Sequence, residues 1–297
     1  MKTNYHTHTT FCDGKSSVEE MIQDAISSGF DILGFSSHAA SPYSSSWHLK
    51  PVQYDEYCAS VRDLGKKYES NIKILLGFEA DYFPLVCKPD KSRYEKFSPD
   101  FLIGSVHYVI NLDAEFSDIE YRGYPQEDCD IPYQCFAIDG SEEEVKFGLE
   151  NMFLGDGKKA CQTYFQLERQ MIEECDFDII GHPDIVRKRN AALKFFCEDD
   201  EWYKRELKET ASIISKSNKI VEVNYGGIAR GTLNDTYPSL DFMRILKEKN
   251  VPLTISADAH NVGQLNCGYD FAVEQMKKAG YKEFFYLEDG HWISESI

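Results

Sequence analysis

Two histidines two residues apart, with an aspartate five residues later, stand near the start of the chain in NYHTHTTFCDG (Asn4–Gly14). Imidazole and carboxylate are side chains that hold zinc, iron or manganese. Groups of the same kind recur downstream, each closing a short apolar run. They are His38 in GFSSH, Glu79 in LLGFEAD, His107 in LIGSVHY, His182 in DIIGHPD, and Asp258 with His260 in TISADAH. Any one of them alone reads as a hydrogen-bonded rim residue or a surface charge, and Asp258 as a helix N-cap. As a set they obey one placement rule, and a shared cause explains that better than repeated coincidence.

The apolar runs are the elements that must position these groups. Strand-like runs at Asn4–Thr9, Asp31–Ser37, Ile72–Ala80, Phe101–Val106, Phe177–Gly181, Ile220–Asn224 and Pro252–Ala257 alternate with helix-like segments. The helical segments are Ser17–Ser28, Tyr54–Tyr68, Lys158–Cys175, Asp199–Ser215, Leu240–Lys249 and Val262–Ala279. In the first of these, Val18, Met21, Ile22, Ala25 and Ile26 share one face, and Ser16–Ser17 before Glu19–Glu20 predicts a capped start. Such alternation predicts an α/β fold of parallel strands with helices outside, and about seven units suit a closed or nearly closed barrel. In a parallel barrel the strand C-terminal ends share one face, where the active site lies. His6 and His8, at i and i+2 of the first strand, project from one side about 7 Å apart. Nine candidate ligands (His6, His8, Asp13, His38, Glu79, His107, His182, Asp258 and His260) exceed what one ion takes. They predict two or three divalent ions, Zn, Fe or Mn, with Glu79 as a bridging carboxylate. Closely spaced ions stabilise both attacking and leaving oxygens in a phosphoryl displacement.

The rest of the sequence bounds the reading. The chain has 297 residues and a net charge of −18, which disfavours extended nucleic-acid binding but allows a small anionic substrate. Nine cysteines are scattered without a C-x-x-C pair, and no apolar run is long enough to span a bilayer. A reduced, cytoplasmic protein without membrane contact is expected; oligomeric state is not legible. No repeat or linker divides residues 1–297, so one domain is expected. Within it, about 112–158 is acidic, aromatic and Gly/Pro-punctuated, which suggests an inserted lid-like segment.

The ordered segments HTHTTFCDG, GFSSHA, GFEADY, GSVHY, IIGHPDIVRK and SADAH resemble the polymerase-and-histidinol-phosphatase (PHP) superfamily. TYFQLERQMIE, IIGHPDIVRKRN and VEVNYGGIARG are similar to its histidinol-phosphate phosphatase branch. The resemblance implies a distorted (β/α)7 barrel with up to three metals. It implies one metal on His6, His8, Glu79 and Asp258, and a second sharing Glu79 and adding His107 and His182. A third would sit on Asp13, His38 and His260. Many members carry histidine near Asp13, a departure that bears on the third site. The implied activity is hydrolysis of a small phosphorylated substrate, L-histidinol phosphate, in histidine biosynthesis. Arg187 and Arg230 would grip the phosphate, and His48 would contact substrate. Asp258 and His260 are candidates for proton delivery to the leaving alkoxide. Lys188 and Arg189 read as solvated, and His291 as structural or exposed. The alternatives are a related phosphoesterase acting on nucleotides, a non-catalytic domain of the same fold, and amidohydrolase chemistry. The last usually wants a lysine where this chain has Glu79.

Overall fold

The structure is a computed structural model describing residues 1–40, 45–84, 87–110 and 135–297. Seven strands, β1 (Thr3–Asn4), β2 (Ile32–Phe35), β3 (Lys73–Asp81), β4 (Phe101–Ser105), β5 (Ile179–Ile180), β6 (Ile220–Asn224) and β7 (Leu253–Ser256), form one sheet in chain order. Every neighbouring pair is parallel. The sheet closes on itself past the end of β1. Thr7 bridges Ala259, His8 N–H donates to the Ala259 carbonyl (2.8 Å), and Ala259 N–H donates to the His6 carbonyl (3.1 Å). The chain is therefore a distorted seven-stranded α/β barrel.

The first strand is shorter than expected, and His6 and His8 lie beyond it. The Asn4 side chain is the reason: its Oδ1 takes the Ala257 N–H (2.6 Å), while its Nδ2 donates to Thr7 Oγ1 and the His6 carbonyl. A side chain thus fills the ladder position between β1 and β7, and pairing resumes only at Thr7. The alternation of side chains survives, so both imidazoles still point inward.

The helices fall close to their predicted bounds. Val18–Ser27 starts with a reciprocal capping box between Ser17 and Glu20, and buries Val18, Met21, Ile22 and Ala25. The last predicted helix is shorter: Tyr269–Lys278 replaces Val262–Ala279, because 261–268 turns through Gly263 at φ +82°. Residues 112–134 of the expected lid lie outside the described residues. The remainder carries secondary structure of its own. Cys135–Ala137 pairs antiparallel with Tyr108–Ile110, and the helix Glu142–Met152 follows, capped by Ser141. Gly148 lets this helix press on the Phe136 ring, which a Cβ there would meet at 2.2 Å. A C-terminal hairpin, Glu283–Glu288 with His291–Ser296, packs Trp292 on Tyr5, and Leu287 N–H donates to the Tyr5 hydroxyl. His291 is exposed there, as expected. The described cysteines are free thiols, and no described helix is long and apolar enough to cross a membrane.

Candidate active site at the strand ends

Glu79, two residues from the end of β3 and 2% exposed, is the centre of the site. Its Oε2 lies 3.0 Å from His6 Nε2, 2.9 Å from His38 Nδ1 and 3.5 Å from His8 Nε2. Its Oε1 lies 2.9 Å from His182 Nε2 and 3.4 Å from His107 Nε2, and accepts from Ser105 Oγ at 2.7 Å. Five imidazoles therefore surround one carboxylate. Asp13 reaches His260 Nε2 (3.2 Å), His8 Nδ1 (3.7 Å) and His38 Nε2 (3.8 Å). Asp258 lies 3.3 Å from His8 Nε2, 3.5 Å from His260 Nδ1 and 3.8 Å from His6 Nε2. All nine predicted ligand residues come together at the C-terminal rim. Two of them, His182 (φ +24°) and Asp258 (φ +51°), occupy left-handed backbone, a strain concentrated where the strands hand over to the site.

The fit to metal ions rests on what these side chains fail to do for one another. His6 Nε2, His8 Nε2, His38 Nδ1, Asp13 Oδ1 and Glu79 Oε2 are buried with no hydrogen-bond partner, although they crowd together. Orphaned polar atoms of this kind are costly unless something binds them. The donor atoms fall into three overlapping groups, each spanning no more than 4.8 Å: His8–Asp13–His38–His260, His6–His8–Glu79 and His38–Glu79–His107. The first contains the implied third-metal set plus His8. The second is the implied first set without Asp258, and the third has His38 where His182 was implied. Burial alone would raise the Glu79 carboxyl, yet His6, His38 and His107 hold it well below the usual carboxylate range. Burial, with His260 and His38 close by, holds His8 below its ordinary value, and the neutral imidazole is the form that ligates.

An outer layer of carboxylates orients the imidazoles. Glu222, fully buried on β6, takes His6 Nδ1 with both oxygens at 3.0 Å, the His182 N–H at 2.9 Å and Asn224 Nδ2 at 2.7 Å. Asp81 takes His107 Nδ1 at 2.5 Å and His48 Nε2 at 2.7 Å. Carboxylates in this position fix the tautomer and raise the basicity of a ligating histidine. Neither residue was singled out from the sequence. The available signal was a glutamate inside the otherwise apolar run IVEVN, and a second acid two residues after Glu79. Asp81→Asn is expected to weaken metal binding at the His107 position by roughly 10–100-fold. A competition titration with a chromogenic chelator measures it, and unchanged affinity would refute the role.

The residues predicted to grip substrate divide. A pocket of 320 Å³ opens over the histidines, walled by Asp13, Glu79, Asp258, Trp47, Asp139, Ile185, Lys188 and Arg230 among others. Arg230 is in it: Nη2 donates to Asp258 Oδ2 (2.7 Å) and Nη1 to the Asp258 carbonyl (2.8 Å). Gly226 permits that approach, since a Cβ there would sit 2.6 Å from Arg230 Nη2. Arg187 is not in the pocket. It is buried with its guanidinium spent on Glu198, Asp235 and the Thr236 carbonyl, so it has no face for a phosphate. His48 is also withdrawn, buried behind His107 with both ring nitrogens committed to Ser45 and Asp81. Lys188, read as solvated, instead reaches the pocket and donates to Asp139 Oδ2 at 2.8 Å.

The PHP domain family matches residues 4–226. The chain belongs to the PHP domain family. A "Probable histidinol-phosphatase" of Schizosaccharomyces pombe is 26% identical over 309 residues, covering 98% of this chain and 90% of that one. Among solved structures, a chain from Listeria monocytogenes bearing a histidinol phosphatase name superposes with a TM-score of 0.74 at 23% identity. It covers 91% of this chain and 99% of its own. The histidinol phosphate phosphatase of Lactococcus lactis, solved with Zn, L-histidinol and phosphate, gives 0.63 at 20% identity, covering 98% of each chain. These likenesses extend the PHP domain fold over almost the whole length of the chain.

Proposed function

We propose that this PHP domain is a metal-dependent phosphomonoesterase that hydrolyses L-histidinol phosphate to L-histidinol and phosphate. The observation that carries the reading is the convergence of nine imidazole and carboxylate side chains beneath a pocket furnished with Arg230 and Lys188. The names of full-length relatives support the choice of ester. Two or three divalent ions fit the three overlapping donor groups, and imidazole with carboxylate suits Zn, Fe or Mn. When bound, such ions activate water at neutral pH and neutralise phosphoryl charge.

The chain's own residues do the rest. Glu79 gathers five imidazoles and sets the spacing of the centre. Glu222 and Asp81 lock His6 and His107 in the ligating orientation. Arg230, braced on Asp258, presents a planar cation to the phosphoryl oxygens as charge builds on them. Lys188, also lining the pocket, supplies a second, point-like cation. Asp258 and His260, beside Arg230 on the rim, are assigned to proton movement at the departing oxygen.

A substrate panel tests the reading. The kcat/KM for L-histidinol phosphate is expected to exceed those for AMP and p-nitrophenyl phosphate by about 10²-fold, the discrimination that a few pocket contacts supply. Equal values on all three would reduce the protein to a general phosphatase, and a preference for AMP would favour the nucleotide alternative.

A further inference from the structure

Four carboxylates line the pocket: Asp13, Glu79, Asp258 and Asp139. Three of them touch the histidines of the centre. Among the described residues, Asp139 touches none of those histidines and pairs with Lys188 Nζ alone. For a substrate that is only an anion, such a group can position Lys188 but also offsets the charge of that cation. A fixed carboxylate near the seat of a dianion weakens binding of every phosphate ester, unless the ester brings its own cation.

Asp139 is also held in a way that suits recognition. It lies between the strand Cys135–Ala137 and the Ser141-capped helix. Ile138 N–H donates to the His107 carbonyl at 2.8 Å, so the segment is tied to the residue beside the centre. Ala137 N–H donates to Glu144 Oε1 at 2.9 Å, and Arg189 Nε donates to the Gly140 carbonyl. The backbone that carries Asp139 therefore keeps its position relative to His107. Lys188 has three N–H donors, enough to hold Asp139 and a phosphate together.

We propose that Asp139 is a specificity-determining residue that receives a cationic group of the substrate, the ammonium of an amino-alcohol phosphate. The inference rests on the reading of the pocket as a phosphomonoesterase site and deepens it. Charges would then alternate across the bound complex: Arg230 and Lys188 on the phosphate, Asp139 between Lys188 and the ammonium. Trp47, Ala137 and Ile185 supply apolar wall for the carbon skeleton. Mononucleotides lack such an ammonium and would meet Asp139 as a repulsive group, a device that works by exclusion as well as attraction.

The test compares L-histidinol phosphate with 3-(imidazol-4-yl)propyl phosphate, the same ester without its amine, on metal-loaded protein. Wild type is expected to favour the amine by about 10²-fold in kcat/KM, the size of a charge-assisted contact. Asp139→Asn should bring that ratio close to 1, chiefly through KM. Equal losses on both esters would mean that Asp139 only holds Lys188, and would overturn the proposal; so would an unchanged ratio. If Asp139→Asn fails to fold, absence of any amine preference in wild type overturns it directly. A second pair, phosphoethanolamine and ethyl phosphate, separates the two readings. An Asp139-dependent preference there, without activity on L-histidinol phosphate, would defeat the proposed substrate and leave the ammonium seat standing.

Discussion

Glu79→Gln is expected to lower kcat/KM for phosphate-ester hydrolysis about 10³-fold and to remove at least one bound metal ion per chain. The amide matches the carboxylate in shape, so the barrel should fold. What changes is charge and hydrogen-bonding sense. One formal negative charge disappears from the midst of five imidazoles, and an NH2 group replaces one of the oxygens they face. The negative charge that Glu79 would offer to divalent ions held among these imidazoles cannot be imitated by an amide. Losing metal stabilisation of the transition state, worth several kcal/mol, corresponds to about three decades in rate. Elemental analysis and steady-state kinetics on the purified variant report both quantities. Wild-type metal content with wild-type kcat/KM would remove Glu79 from the centre.

Glu222→Ala should have the largest effect on stability. Three donors, His6 Nδ1, the His182 N–H and Asn224 Nδ2, depend on this one buried carboxylate. Truncation leaves all three without their acceptor in the barrel interior and opens a cavity besides. Breaking a buried charged network of this kind costs about 3–5 kcal/mol. Losing the partner of His6 is expected to weaken metal binding by a further 10–100-fold, about the usual effect of removing an outer carboxylate. Urea unfolding of the metal-free protein isolates the first effect, and chelator competition the second. A change in stability below about 1 kcal/mol, a value ordinary for a surface substitution, would contradict the role drawn for Glu222.

The candidate ligands were legible because a parallel barrel turns sequence position into spatial position. Residues at the ends of successive strands meet on one rim, so apolar runs closed by His, Asp or Glu reveal the centre without any coordinates. The residues around the ligands follow no such rule. Glu222 meets His6 across 216 positions of sequence, and Asp139 meets Lys188 across 49. Arg187 and Lys188 show where the limit falls. They are consecutive at the start of the helix Arg187–Leu193, and one residue of helix turns the side chain by about 100°. That rotation sends Arg187 into Glu198 and Asp235 and Lys188 into the pocket, a choice that depends on the phase at which the helix begins. The segment after Cys135 was different: Ser141 with Glu144 is a helix-start signal that was present in the sequence and outweighed by the acidic, Pro-punctuated stretch before it.

The central claim is that the histidine and carboxylate cluster works by holding divalent ions for phosphate-ester hydrolysis. Its direct test is to strip the chain with a chelator, verify the absence of metal by elemental analysis, and assay L-histidinol phosphate before and after adding back Zn or Mn. Activity is expected to fall below about 1% of the starting value, since several kcal/mol of transition-state stabilisation leave with the ions, and to return on reconstitution. Undiminished hydrolysis by verified metal-free protein would contradict the account.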